Sequence, residues 1–379
     1  MKKIYDCIIL GIGGVGSAAL YYAAKNGWDV LGIERFSVAH AMGSSHGQTR
    51  IIRQAYFEHP DYVPLLKSAY ALWSQFEAAV GKSFFQRTGL LQVGHPEGPI
   101  IGGIRRSANE HGLAIRELNP MELKSAYPFF SPREDDVAIV EENAGFLRVE
   151  PSLASFVGAA CELGAALLEN TVVEGWDESS GLVTVSTSEG AFQAKRMILS
   201  AGPWAKQVLP SMTEKFRVIA KHQHWFRFAD DRIDLDKGCP TFFFETDEGY
   251  FYGFPDIDGR GAKICEHSGG STVVDPLTID REIDPVDLER VQNFCNHYLN
   301  CPRGIHQDHR VCMYTMSPDE HFMVDRVSDN VVFAGGLSGH GFKFVPVLGH
   351  TLVELLEGRS RADMDFLRVC RFNTDAAEA

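Results

Sequence analysis

The chain has 379 residues, of which 45% are hydrophobic and 23% are charged, so it is long enough for one large domain or two joined domains with a buried core. Its formal net charge of -14 argues against nucleic acid and anionic lipid as partners. The eight cysteines are scattered without a Cys-x-x-Cys pair, which argues against a disulfide scaffold or a cysteine zinc cage and indicates a reducing compartment.

The sequence also lacks membrane and metal signals. Glycines interrupt the apolar start of the chain before it reaches the length of a signal peptide, and no window is long and apolar enough for a membrane helix. His222 and His224 share one face of a predicted strand, but no third ligand follows at a useful spacing. We therefore expect a cytoplasmic protein without a membrane span and without a metal ion.

The first chemical motif is "YDCIILGIGGVGSAALYYAAKNGWDVLGIER". It predicts an apolar strand, a turn with Gly11, Gly13 and Gly16, a small-residue helix and a second strand that ends at Glu34. The glycines allow a tight turn and a close approach of backbone N–H groups to a pyrophosphate, and the acid accepts hydrogen bonds from ribose hydroxyls. This fingerprint predicts a bound dinucleotide, and it is shared by NAD and FAD.

The next segment, "GSSHGQTRIIRQAY", contains two arginines three residues apart. Their spacing predicts that Arg50 and Arg53 share one face of a helical turn, where their guanidinium groups suit an anionic ligand. A solvated basic turn is the alternative, since such pairs are common on surfaces. His46, in the same segment, is equally ambiguous.

Three later segments predict local structure. "GYFYGFPDIDGRGAKICEH" alternates aromatic residues with glycine and turns through Asp-Gly-Arg-Gly, which predicts a β-hairpin. "NVVFAGGLSGHGFKFVPVLGHTLVELLEG" predicts a strand, a glycine-rich turn and a helix. The run Phe242, Phe243 and Phe244 is expected to pack in a core rather than to shape a ligand cavity.

Taken together, these stretches resemble the monomeric sarcosine oxidase and N-methyltryptophan oxidase family of flavin-dependent amine oxidases, within the D-amino-acid-oxidase-like superfamily. The resemblance spans nearly the whole chain. Besides the fingerprint, it rests on the strings "HGQTRIIRQAY", "SAGPWAKQVLP", "YFYGFPDIDGRGAKICEH", "CMYTMSPDEHFMVD" and "GGLSGHGFKFVPVLG".

The resemblance implies an α/β fold in which a Rossmann-like FAD-binding domain carries an inserted, mainly antiparallel β-sheet domain. We expect the FAD-binding domain to be discontinuous, over residues 1–85, 145–215 and 315–379. Residues 86–144 and 216–314 are expected to form the substrate domain.

The resemblance also implies that FAD is the cofactor and that Cys312 is its covalent anchor, through a thioether to the isoalloxazine ring. Such attachment requires a thiolate, and Arg50 and His46 are the residues expected to lower the pKa of the thiol. The expected cofactor-binding residues are Gly11, Gly13, Gly16, Glu34, Arg35, Gly202, Cys312 and Gly339.

For the substrate, the resemblance implies a carboxylate clamp formed by Arg53 and Lys343, with Tyr252 and Tyr314 lining the cavity and His267 facing the ligand. Lys263 is expected over the flavin, where a fixed positive charge stabilises the superoxide formed when O₂ accepts an electron. The positive charges of the clamp and of His267 are expected to keep the substrate amine neutral. Arg50 and His46 complete the expected catalytic set.

The implied reaction is oxidation of a secondary (N-methyl) amino acid such as sarcosine or N-methyltryptophan by O₂, in a monomeric enzyme, giving formaldehyde and H₂O₂. Three alternatives remain: a cyclic imino-acid oxidase or dehydrogenase of the same fold, an NAD-dependent enzyme, and a non-catalytic flavin-binding redox module. The sequence departs from the family at Gln48, where an acid is expected, and at Cys265 and Glu266. A glutamate near the clamp would exclude some substrates.

Overall fold

The computed structural model describes residues 3–301 and 303–372. In this part of the chain there are eight α-helices, and short 3₁₀ turns connect several of the elements. The helices are α1 (Gly14–Lys25), α2 (Tyr62–Val80), α3 (Pro99–His111), α4 (Pro120–Ala126), α5 (Val149–Glu162), α6 (Ala205–Val208), α7 (Pro285–Tyr298) and α8 (Val345–Leu356).

The β-strands of the described residues are distributed over four sheets. In chain order they are β1 (Ile4–Tyr5), β2 (Cys7–Leu10), β3 (Val30–Ile33), β4 (Thr49–Ile52), β5 (Phe85–Arg87), β6 (Leu90–Gly94), β7 (Arg116–Leu118), β8 (Val137–Glu141), β9 (Gly145–Arg148), β10 (Ala166–Leu168), β11 (Val173–Ser179), β12 (Leu182–Thr187), β13 (Gly190–Ala194), β14 (Met197–Leu199), β15 (Arg217–Arg227), β16 (Thr241–Thr246), β17 (Gly249–Phe254), β18 (Ala262–Glu266), β19 (Ser271–Thr272), β20 (Ile305–Met316), β21 (Met323–Arg326) and β22 (Val331–Gly335).

A six-stranded sheet in the order β10-β3-β2-β14-β22-β21 carries the fingerprint segment. All neighbouring pairs are parallel except β21 with β22. Strands β2, β3 and β22 are buried along their whole length, as expected for strands covered on both faces. The predicted strand, turn, helix and strand of the fingerprint are confirmed, as is the strand, turn and helix near the C-terminus.

A nine-stranded, mostly antiparallel sheet forms the second layer, in the order β19-β15-β18-β17-β16-β6-β8-β7 with β20 paired to β15. Only β16 and β6 run parallel. The predicted hairpin is confirmed as β17 and β18, which pair antiparallel. The α/β fold class is therefore confirmed, with one mostly parallel and one mostly antiparallel sheet.

The strands of the nine-stranded sheet come from residues 90–141 and 217–316, so two separate parts of the chain build it. The strands of the six-stranded sheet lie before, between and after these parts. The domain boundaries given above remain a prediction.

The expected helical turn at Arg50 and Arg53 is wrong. Thr49–Ile52 form strand β4, which pairs antiparallel with β9. β-branched Thr and Ile residues favour a strand, and the pairing with β9 satisfies the backbone that a helix would have satisfied locally. Arg50 therefore lies within a strand, and Arg53 follows its end.

None of the helices in residues 3–301 and 303–372 is long and apolar enough to cross a membrane.

The close contact between helices α1 and α8 can be tested by substitution. A Cβ atom at Gly349 of α8 would lie 2.6 Å from the backbone nitrogen of Ala19 in α1. We expect Gly349→Ala to lower the free energy of unfolding by about 1–3 kcal/mol, because it forces the two helices apart. Gly158→Ala in α5, where a Cβ would meet nothing within 4 Å, is the control and should stabilise the protein by about 0.5–1 kcal/mol. Equal melting temperatures for the two variants would contradict the close packing.

Candidate active site

A long cleft opens at the carboxyl ends of the parallel strands and contains about 1420 Å³ of space, part of which is open to solvent. At this edge of an open parallel sheet, ligands bind at the turns that follow the strands. The residues expected to hold the cofactor that line the cleft are Gly11, Gly13, Glu34, Arg35, Gly202 and Gly339.

The glycine turn is sterically fixed. Gly11 has φ +83°, and a Cβ atom there would lie 2.7 Å from the carbonyl oxygen of Ser200. Gly16 does not line the cleft but lies in α1, where a Cβ would come within 1.9 Å of the Gly11 carbonyl oxygen. Only glycine permits this close approach of the helix to the turn.

Glu34 organises the same end of the cleft. One carboxylate oxygen accepts a hydrogen bond from the Ile12 N–H at 2.8 Å, and the other accepts one from the Phe36 N–H at 3.0 Å. His40 Nε2 lies 3.3 Å from the carboxylate. The acid thus fastens the glycine turn to the end of β3 while it lines the cleft.

Cys312 lies on β20, is almost fully buried, and does not line the cleft. Its Sγ lies 3.3 Å from a guanidinium nitrogen of Arg50 and 3.4 Å from the carbonyl oxygen of Ser44, and both of these residues do line it. Burial, followed by the charge of Arg50, lowers the pKa of His46 to about 3. His46 is therefore neutral, and of the two residues expected to lower the pKa of the thiol, only Arg50 supplies charge.

A second, smaller cavity of about 450 Å³ adjoins the cleft. Arg50, Tyr314, Gly339 and Phe342 line both spaces, so the two lie side by side. The predicted site residues that converge on the smaller cavity are Arg50, Arg53, Tyr252, His267, Tyr314, Gly339 and Lys343.

Arg53 binds the carboxylate of Glu58 through its guanidinium group. A guanidinium nitrogen lies 2.6 Å from both carboxylate oxygens of Glu58. Burial raises the pKa of Glu58, but Arg53, together with His340 and Lys343, outweighs this and holds the pKa at about 2. The Nε of Arg53 is buried and has no hydrogen-bond partner among the described residues, so it is a free donor.

Lys343 lies beside this pair. Its ammonium donates hydrogen bonds to the carbonyl oxygen of His340 at 2.7 Å and to the Tyr56 hydroxyl at 3.4 Å. Burial, with a contribution from Arg53, lowers the pKa of Lys343 well below its ordinary value. An anion that enters the cavity would be attracted by the positive charge of Arg53. It would also raise the pKa of Lys343, so that the lysine becomes charged and attracts the anion as well.

His267 and Tyr314 meet across the cavity, with the imidazole Nδ1 3.3 Å from the tyrosine hydroxyl. Burial, followed by the charge of Lys221, lowers the pKa of His267 to about 3. The expectation that His267 adds positive charge to the site is therefore wrong. Burial also raises the pKa of Tyr252 well above its ordinary value, so this residue stays neutral too.

Lys263 lies behind the cavity wall and lines neither space. Its ammonium donates hydrogen bonds to the carbonyl oxygens of Gly47 at 2.7 Å and Thr49 at 3.1 Å. Arg50 donates to the same Thr49 oxygen at 2.8 Å, so one carbonyl group is shared by two cations. Burial, followed by the charge of Arg50, lowers the pKa of Lys263 to about 7.

Comparison with known proteins matches this chain to one family and to two kinds of oxidase. The family model DAO, FAD dependent oxidoreductase, matches residues 6–355. The chain is 35% identical over 362 residues to monomeric sarcosine oxidase of Streptomyces avermitilis, covering 94% of each chain. It is 34% identical over 381 residues to N-methyl-L-tryptophan oxidase of Yersinia pestis, covering 97% of this chain and 99% of that one.

The chain belongs to the FAD-dependent oxidoreductase family. The relatives confirm the resemblance seen in the sequence, since both belong to the sarcosine oxidase and N-methyltryptophan oxidase group. FAD is therefore the cofactor of this oxidoreductase, and the NAD alternative is set aside.

Solved structures support the same fold. NikD, an unusual amino acid oxidase essential for nikkomycin biosynthesis, matches with a TM-score of 0.84 and 21% identity over 97% of this chain and 98% of that one. L-proline dehydrogenase from P. horikoshii matches with a TM-score of 0.80 and 21% identity over 99% of both chains. At this identity the likeness concerns the fold alone.

The residues of this FAD-dependent oxidoreductase fit the cofactor. The turn around Gly11 leaves no room for a side chain, the N-terminus of α1 faces the cleft with its partial positive charge, and Glu34 stands at the end of β3. At the other end of the cleft, Arg50 and Tyr314 face a loop whose Gly339 has φ +80°. A pyrophosphate suits the first end, and an electron-rich ring suits the second.

Several site residues of this oxidoreductase were missed by sequence reasoning, namely Ile51, Glu58, Phe243, His340 and Phe342. Phe243 packs in a core as expected, but it also lines the cavity, whereas its neighbours Phe242 and Phe244 pack in a different core. Strict alternation of side chains along β16 is the signal that places Phe243 on the opposite face from its two neighbours.

The concern that Glu266 would exclude some substrates is not supported, because this residue pairs with Arg290 at 2.7 Å and does not line the cavity.

The buried Lys263 predicts a distinct pH dependence of stability. Its folded-state pKa of about 7 lies below the ordinary value of 10.5, so between these pH values the unfolded chain binds more protons. The stability of the wild type should rise with pH in this window, and Lys263→Met should remove the part of that rise that Lys263 contributes. From pH 7 to 9 the difference between the two proteins should grow in favour of the wild type by about 2–3 kcal/mol.

Denaturant unfolding at several pH values measures this difference. Lys206→Met, at an exposed lysine, is the matched control and should keep the pH dependence of the wild type. Parallel pH profiles for the two variants would contradict the lowered pKa of Lys263.

Proposed function

We propose that this enzyme oxidises a secondary (N-methyl) amino acid such as sarcosine or N-methyltryptophan, with O₂ as the electron acceptor. The overall reaction is R–NH–CH₃ + O₂ + H₂O → R–NH₂ + HCHO + H₂O₂. When bound, FAD supplies the two-electron acceptor for the C–H bond and passes the electrons on to O₂. The names of the two relatives support this substrate class.

The observation that carries the proposal is the small cavity that is lined by Lys343 and Arg53 and lies directly beside the cofactor cleft. A substrate carboxylate accepts hydrogen bonds from the Lys343 ammonium and from the Arg53 guanidinium, which Glu58 holds in place through one terminal nitrogen. This fixes one end of an amino acid and directs the other end towards the cleft, which Tyr314 also lines.

The substrate amine binds beside neutral His267 and Tyr314. Because the Arg53 guanidinium is positive and burial keeps His267 uncharged, the surroundings favour the neutral amine, whose lone pair assists loss of the C–H electrons. The resulting imine is hydrolysed to formaldehyde and the primary amine. No strong base is required.

Lys263 acts in the oxygen half of the reaction. Its ammonium is held by two backbone carbonyl groups beside Arg50 and stabilises the negative charge that forms on O₂ during reduction.

Cys312 is the proposed site of covalent attachment of FAD, through a thioether. The proposal is supported by the position of its Sγ, which lies 3.3 Å from a guanidinium nitrogen of Arg50, a residue that lines the cleft. The thiol also lies beside Ser44, which lines the cleft.

We further propose that the enzyme acts as a monomer in the cytoplasm. One chain supplies all the site residues named here, and none of the eight cysteines forms a disulfide, as expected in a reducing compartment.

Anaerobic addition of amines tests the reaction class. The absorbance of the purified yellow protein should bleach with sarcosine or N-methyl-L-tryptophan, and air should restore it with formation of H₂O₂. Bleaching by L-proline or L-pipecolate alone would instead identify a cyclic imino-acid enzyme, and recovery with an artificial acceptor but not with O₂ would identify a dehydrogenase. A protein that no secondary amine bleaches would contradict catalysis of this class.

Acid precipitation tests the attachment. The wild-type pellet should keep its yellow colour, whereas Cys312→Ser should release flavin into the supernatant because it cannot form the thioether. Cys265→Ser, at a second buried cysteine of the same sheet, is the matched control and should retain flavin in the pellet. Flavin that washes free from the wild type would contradict the role of Cys312.

A further inference from the structure

Gln92 on β6 is a buried amide without hydrogen bonds. Its side chain is fully buried, and neither Oε1 nor Nε2 has a hydrogen-bond partner among the described residues. An amide buried in this way costs about 1–3 kcal/mol, so natural proteins almost always provide a partner. Packing alone gives no reason for a glutamine here, since leucine would fill the same space without the cost.

The strand register places Gln92 in line with the substrate cavity. Gln92 is paired with Phe243 on β16, and Phe243 is paired with Tyr252 on β17. Paired residues on neighbouring strands direct their side chains to the same face, and neighbouring strands lie roughly 4.8 Å apart. Gln92 therefore lies one strand beyond Phe243, on the face that carries the cavity.

In the order of the strands, Phe243 lies between Gln92 and the cavity. Its ring lines the cavity, with its centroid 5.8 Å from that of His267 and 5.9 Å from the Arg53 guanidinium carbon. The residues of this face around and beyond the ring are mostly apolar, including Leu90, Ile104 and Ile139. Two other buried polar residues of the face, Glu141 and Thr241, have hydrogen-bond partners, whereas the amide of Gln92 has none among the described residues.

We propose that Gln92 is the distal end of a substrate side-chain subsite, reached when the ring of Phe243 rotates. The subsite selects N-methyl amino acids whose side chain ends in an uncharged group that both donates and accepts hydrogen bonds, a carboxamide or a hydroxyl. This inference rests on the proposed function and names its substrate class more closely.

The chemistry of the two unpaired atoms sets this preference. The Oε1 atom of Gln92 requires a donor and the Nε2 group requires an acceptor, and a carboxamide supplies both. A carboxylate offers no donor and an ammonium no acceptor, and either would be buried as a charge in an apolar wall. An alkyl chain would leave the amide of Gln92 unpaired.

The test compares two substrates of similar length, N-methyl-L-glutamine and N-methyl-L-norleucine. In the wild type, kcat/KM should favour the amide by about 10-fold or more, which corresponds to about 1.4 kcal/mol. Gln92→Leu should reduce this ratio to about 1 and leave kcat/KM for sarcosine unchanged within about 2-fold, because sarcosine has no side chain to reach the subsite. Gln92→Met is the second variant should leucine impair folding, and Ile139→Val is the matched control, which should keep the wild-type ratio.

A second measurement is independent of turnover. Glutaramate should raise the melting temperature of the wild-type holoenzyme more than hexanoate does, and Gln92→Leu should abolish this difference. A wild-type ratio near 1, or a ratio that Gln92→Leu retains, would overturn the inference and leave the amide with a structural role. If sarcosine and both longer substrates fail to react, the proposed function is wrong, and equal effects of the two acids on melting would overturn the subsite as well.

Discussion

The burial of positive charge is the constraint on which the site depends. Arg53, Lys221, Lys263 and Lys343 are each at least 95% buried, and only Arg53 is paired with a carboxylate, that of Glu58. The three lysines donate instead to backbone carbonyl groups, and burial lowers the pKa of each of them. A region with this much unbalanced positive charge gains energy from anions, and an amino-acid carboxylate is one.

The nine-stranded sheet can hold these charges because one of its faces lines the site while the other packs in a separate hydrophobic core. Along β16, Phe243 faces the cavity while Phe242 and Phe244 pack against α7 in a separate core. Along β18, Lys263 lies on the site face, and Glu266 pairs outward with Arg290. The period of two residues lets one strand supply both a stable core and a polar site, without breaking the hydrogen-bond ladder between them.

The two cavities form one functional unit because Arg50, Tyr314 and Gly339 border both. Arg50 links the thiol of Cys312 to the carbonyl oxygen of Thr49, which also accepts a hydrogen bond from Lys263. The anchor proposed for the cofactor, the cation proposed for oxygen reduction and the substrate cavity are thus held by one short strand, β4. Its pairing with β9 gives that arrangement a fixed backbone.

The sequence by itself determined the features that depend on near neighbours along the chain. Local residue patterns predict the turn at Gly11, the hairpin of β17 and β18, and the strand, turn and helix around Gly339. The family motifs identified most of the residues that line the smaller cavity. Tertiary structure decided the rest. Arg50 lies in a strand because distant residues 145–148 pair with it, Glu58 became a site residue by reaching Arg53, and His267 lost its charge through burial. Pairing partners, burial and strand register are set by the packing of distant segments, which no local pattern encodes.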